Sequence, residues 1–116
     1  MTEQQKLAAI CEFVRSQGVS LRIRQVAGRR QLPNGWYENG QICIYTRDRV
    51  AEASATASMI LHEYGHHLAG QTIGDHHSEH DAWDLACQVV PRSIRPRSFA
   101  RVRRHCLGTY AAVGIY

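Results

Sequence analysis

Residues 62–66 read His62-Glu63-Tyr64-Gly65-His66, and that spacing confines the surrounding chain to one conformation. Two imidazoles four positions apart share a face on an α-helix, with Glu63 about 100° round the same axis. This is the HExxH arrangement, in which two histidines grip a zinc ion and the carboxylate serves as base toward a water that the metal activates. The chain must therefore fold around a helix with two sides. Ala57, Ile60, Leu61, Tyr64 and Leu68 form a packing side, whereas His62 and His66 project with Ala55, Ser58 and Met59 toward a cleft.

The flanking sequence supplies the rest of a small α+β domain. Leu7, Ala8, Ile10, Cys11 and Val14 recur at helical spacing over residues 4–17, and Gly18 ends that helix. Val19 to Val26 alternates, with Val19, Leu21, Ile23 and Gln25 on one side and Ser20, Arg22 and Arg24 on the other, the pattern of a half-buried strand. Gly28 to Gly35 reads as a loop. Beyond it, Gly35-Trp36-Tyr37 and Gln41–Thr46 flank Asn39-Gly40, the strongest short hairpin signal because a type I′ turn needs positive φ at both central residues. Thr46 or Asp48 is expected to cap the HExxH helix over 49–69, with Gly70 as its stop.

With 116 residues, the chain suits a single domain over 1–116, a minimal zincin-like unit. The expected order is an N-terminal helix, a small three-stranded, mostly antiparallel sheet, the HExxH helix, a ligand-bearing helix and a basic C-terminal helix. No apolar run approaches the roughly 18 residues that span a bilayer, and Met1–Phe13 is too polar for a secretory signal, so a cytoplasmic protein without membrane contact is expected. Cys11, Cys43, Cys87 and Cys106 form no CxxC pair and read as buried reduced thiols. The net charge of +4 is concentrated in Arg92, Arg95, Arg97, Arg101, Arg103 and Arg104 within the arginine-rich segment 92–116. That segment is a candidate contact for nucleic acid or an acidic protein, although no aromatic residues interleave with its arginines. Leu107–Tyr116 is nearly uncharged and is expected to pack into the core.

A catalytic zinc takes three protein ligands and keeps one position open. The HExxHxxGxxH continuation fails, because Ala69 and Thr72 stand where glycine and histidine are needed. The third ligand is therefore sought among His76, His77, Glu79, His80 and Asp81. From Ser78 to Val90, Ala82, Leu85, Ala86, Val89 and Val90 define a helix face. Glu79 lies about 50° from its centre, Asp81 about 110° and His80 about 150°. Ser78 and Asp81 also match a capping box. Glu79 is thus the expected ligand, with Asp81 and His80 as alternatives.

The HEYGH helix followed by Glu79-His80-Asp81-Ala82-Trp83-Asp84-Leu85-Ala86-Cys87-Gln88-Val89-Val90-Pro91 resembles the ImmA/IrrE family of gluzincin-like metallopeptidases. The likeness is specific in these two helices. Asp81 replaces a second glutamate of the family pattern, and Trp83 stands where related gluzincins place an Asn or Asp that braces a metal-bound histidine. The resemblance implies a cytosolic regulatory endopeptidase whose protein substrate is a transcriptional repressor or similar regulator. The sequence His80-Asp81-Ala82-Trp83 is also similar to SprT-like proteases, which use a third histidine ligand and act on DNA-bound proteins. A non-catalytic zincin-fold binding protein is a further alternative. In the enzymatic reading one zinc ion is held by His62, His66 and Glu79, Glu63 is the general base, Tyr45, Tyr110 or Tyr116 stabilises the oxyanion, and the strand Gln41–Thr46 pairs with substrate.

Overall fold

A computed structural model describes residues 1–27 and 33–114. The fold is α+β, with α1 (Glu3–Ser16), β1 (Ser20–Gln25), β2 (Asn34–Glu38), β3 (Gln41–Thr46), α2 (Ala53–Thr72), α3 (Glu79–Val89) and α4 (Phe99–Ala112) in chain order, and a 3-10 turn at Arg92–Ile94. Thr2 caps α1 through a capping box with Gln5, and Gly18 leaves the helix at φ 81°. Leu7, Ile10, Cys11 and Val14 are the buried face of α1, as their spacing predicts. Positions 28–32 of the expected loop lie outside the described residues, and β2 contains Gly35, as the hairpin reading expects, but begins one residue earlier, at Asn34.

The sheet has the order β1-β3-β2, with β2 antiparallel and β1 parallel to β3. The hairpin turn forms as the Asn-Gly pair requires, with Asn39 at φ 49° and Gly40 at φ 77°. Because β1 pairs on the other side of β3, the strand expected to receive substrate is central and has no free edge. β2 is the edge strand beside α2.

The HExxH helix starts and ends later than its sequence suggests. Asp48 caps a turn instead, accepting from the amides of Val50 and Ala51. Thr46 gives its hydroxyl to Glu52, whose same oxygen accepts the amides of Arg47 and Asp48 and so anchors the end of β3 to the start of α2. At the other end α2 runs through Gly70 and stops where Gly74, at φ 117°, sends its amide back to the Ala69 carbonyl. A glycine inside a helix costs only about 1 kcal/mol, so Gly70 alone cannot end one held by packing.

Helix α2 is also buried on more sides than an amphipathic surface helix. From Thr56 to Gly65 every residue is buried, including Ser58, Met59, His62 and Glu63 on the side expected to line a cleft. The sheet, α1, α3 and α4 all pack around it. Phe99 anchors α4 to this core and Leu107 packs against it, whereas residues 111–114 are exposed, so of the segment expected to complete the core only its beginning is seen to do so among the described residues. All four cysteines are free. Cys11 and Cys43 are buried, whereas Cys87 and Cys106 are only partly so. No helix among the described residues is long and apolar enough to cross a membrane.

Candidate metal centre

Helices α2 and α3 meet at Gly65. A Cβ there would stand 2.7 Å from the Ala82 carbonyl carbon and closer still to its oxygen, so only glycine lets the two backbones approach this far. Ser78 sets the start of α3 through the expected capping box, accepting from the Asp81 amide while Asp81 accepts from the Ser78 amide. Glu79 is the first residue of α3. Its Oε2 lies 2.8 Å from His62 Nε2 and 2.9 Å from His66 Nε2.

The five candidate third ligands thus separate by position. Glu79 faces both imidazoles, and Asp81 is committed to the cap. His76 and His80 are exposed. His77 stands behind His66, with its Nε2 2.8 Å from His66 Nδ1 and its Nδ1 2.7 Å from the Gly74 carbonyl oxygen. A carbonyl only accepts, so His77 Nδ1 carries a hydrogen, and neutral His77 then accepts at Nε2 from His66 Nδ1. A neutral His66 would then present a bare lone pair at Nε2 to a carboxylate oxygen 2.9 Å away, whereas a His66 protonated on both nitrogens would donate to it. Two acceptors facing each other at that distance repel unless a proton or a cation lies between them. Two imidazole nitrogens and a carboxylate oxygen form a donor set that fits a divalent cation. His62, Glu63 and His66 also form a group that could hold a metal ion, with one ligand atom from each within 4.8 Å of the others.

Glu63 is buried beside this cluster at 5% exposure, with Oε1 3.3 Å from His62 Nδ1. The contact is too poorly aligned for a hydrogen bond, and His62 Nδ1 is without a partner among the described residues. Trp83 braces His62 by another means. Its ring is fully buried and stacks on the imidazole at 4.4 Å with an interplanar angle of 9°. Burial lowers the pKa of His62, but Glu63 and Glu79 outweigh it and raise the value to about 8. Burial acts oppositely on Glu79, where the two histidines prevail and hold the carboxyl far below its usual range.

The cluster opens into a cavity of about 360 Å³ walled by Gly35, Trp36 and Tyr37 of β2 and by Tyr110 of α4. Tyr37 is held in place, its hydroxyl accepting from the Gly40 amide and lying 2.7 Å from His67 Nδ1. Burial, with Glu79 and Glu63 nearby, pushes the Tyr110 phenol well above its ordinary value, so it stays a hydrogen donor. Tyr45 does not line this cavity, and Tyr116 lies outside the described residues. Of the residues expected at the site, His62, Glu63, His66 and Glu79 come together. Gly65, Gly74, His77 and Trp83 were not anticipated as supports.

No family model, curated protein or solved structure matches the chain. Two of the six C-terminal arginines are engaged within the chain. Arg95 donates to the Cys87 carbonyl and sits over the Phe99 ring, and Arg103 pairs with Asp84. Arg92, Arg97, Arg101 and Arg104 are exposed.

Proposed function

We propose that this protein is a zinc-dependent endopeptidase of the ImmA/IrrE kind, acting in the cytoplasm on a repressor or other regulatory protein. The observation that carries the proposal is the convergence of His62 Nε2 and His66 Nε2 on one oxygen of Glu79 beside the buried Glu63. Histidine and carboxylate donors in an HExxH frame suit zinc, with His62, His66 and Glu79 as its ligands. Zinc, when bound there, supplies a Lewis acid that polarises a carbonyl and acidifies water.

The chain's own groups do the remaining work. Glu63 takes a proton from the attacking water and hands it to the leaving amine. Tyr110, kept protonated, donates to the oxygen on which negative charge develops. Strand β2 orients the substrate. A two-residue turn makes Glu38 and Gln41 the hydrogen-bonded pair, so alternation turns the backbone groups of Gly35 and Tyr37 away from β3 along the cavity wall. The opposite edge of the sheet is blocked, because Arg15 and Arg49 donate to the Leu21 and Ile23 carbonyls of β1. An extended peptide therefore adds to the sheet at the edge that faces Glu63.

The test is cleavage of a mixed library of unstructured peptides, read by mass spectrometry, with zinc-loaded wild type and zinc-loaded Glu63→Gln. Cleavage by wild type alone, at equal zinc content, is the expected result. Turnover by the variant would overturn the role of Glu63, and an inert wild type would leave a zincin-fold binding protein in place of a peptidase.

A further inference from the structure

The sheet face turned away from α2 carries an exposed tryptophan, a half-buried tyrosine and exposed cationic side chains. Register aligns Arg22, Cys43 and Trp36 in one row across the three strands and Arg24, Tyr45 and Asn34 in the next. Trp36 is 42% exposed, and its indole nitrogen donates to the Tyr45 hydroxyl at 3.5 Å, which ties the two rings together. Arg22 and Arg24 are exposed and form no ion pair among the described residues. Being two positions apart on one strand, they point to the same side about 7 Å from each other. A concavity of about 160 Å³ lies between the arginines and the rings, and no carboxylate lines it. The nearest acid on this face, Glu38, sits beside the hairpin turn at its margin.

We infer that this face binds single-stranded nucleic acid, with Trp36 and Tyr45 stacking on bases and Arg22 and Arg24 contacting phosphates. Aromatic rings held beside unpaired arginines on a solvated sheet are the combination that stacking and phosphate contact require. A duplex keeps its bases stacked on one another and offers a protein ring no base face, so it does not fit this surface. An acidic peptide would use the arginines but not the rings. The site is the opposite sheet face from the metal cluster and needs no metal, so it is independent of the proposed peptidase activity. Trp36 borders both cavities.

The test uses the full, metal-free chain and an oligothymidylate of about 15 nucleotides, a length suited to a small stacking surface. Trp83 is fully buried, so quenching of intrinsic fluorescence reports Trp36. Saturable quenching is expected, with a salt slope near −1.4 for about two phosphate contacts on a single strand. Arg22→Ala/Arg24→Ala should weaken binding about tenfold or more and flatten that slope, and Trp36→Ala, followed by a labelled oligonucleotide, should weaken it about 5- to 150-fold. Arg101→Ala/Arg104→Ala on α4 should leave affinity within about twofold. The inference is overturned by an absence of quenching, by equal binding of a duplex or of polyglutamate, or by a larger loss from the α4 pair than from the sheet pair. Should Trp36→Ala fail to fold, the two arginine pairs still decide between the surfaces.

Discussion

Gly65→Ala is the substitution that most sharply tests how the metal cluster is assembled. Its added Cβ would begin 2.7 Å from the Ala82 carbonyl carbon. Restoring an ordinary separation of about 3.5 Å means moving α3 away from α2 by about 1 Å. Glu79 lies three residues before Ala82 on the same helix, so its carboxylate moves too, away from Nε2 atoms now 2.8 and 2.9 Å distant. Overpacking of this kind costs about 1–3 kcal/mol, and alanine's helix propensity returns about 1 kcal/mol. A net loss of up to about 2 kcal/mol follows, a fall of up to roughly 8 °C in Tm for a chain of this size. Displaced ligands should lower metal affinity by about 10- to 100-fold. Thermal unfolding of the metal-free protein gives the first quantity, and competition for zinc against a chromophoric chelator gives the second. If Gly65→Ala were instead about 1 kcal/mol more stable, as propensity alone dictates, and bound metal like wild type, the close approach of α2 and α3 would not govern the site.

Three further outcomes follow from the same geometry. Trp83→Ala removes a fully buried ring and should cost about 3–5 kcal/mol in denaturant unfolding, with metal affinity falling because His62 loses its stacking partner; an unchanged midpoint would contradict the packing described. Glu79→Ala should lower zinc affinity far more than Asp81→Ala or His80→Ala, and metal analysis of the purified variants giving the reverse order would reassign the third ligand. Glu3 tests the pH dependence of the fold. Burial raises its pKa, but hydrogen bonds from Lys6 and the Arg97 amide prevail and lower it from 4.5 to about 2. Its contribution is therefore complete above pH 4.5 and disappears as pH falls through about 2. Glu3→Gln should lose about 1 kcal/mol at pH 7, allowing for partial solvent access, and nothing at pH 1.5; equal losses at both pH values would show that the charge is immaterial.

Much of the site was legible because its signals are local. Two histidines at i and i+4, a carboxylate between them and a capping box that sets the phase of α3 depend on helix geometry alone, and these bring His62, His66 and Glu79 together. The Asn-Gly turn was equally readable. What escaped depends on how the helices stack. A wheel drawn for α2 assumes one solvated side, but α3 and α4 cover that side, so Met59, His62 and Glu63 are buried. Trp83 looked like a missing brace because hydrogen bonding was the expected means; its stacking on His62 requires knowing that α3 lies against α2. Gly65 and Gly74 gave weak signals, since a glycine's meaning depends on what approaches it or on which helix it ends. The choice of edge strand likewise turns on β1 pairing parallel to β3, a long-range contact that alternation within each strand does not encode.

The central claim is that His62, His66 and Glu79 together hold one zinc ion. Its most direct test is the metal content of wild type, Glu63→Gln and Glu79→Ala, measured by native mass spectrometry after zinc loading and buffer exchange. The geometry predicts one zinc per chain in wild type and in Glu63→Gln, and none in Glu79→Ala that has kept its fold. Zinc retained at full stoichiometry by Glu79→Ala, or absent from wild type, would contradict it.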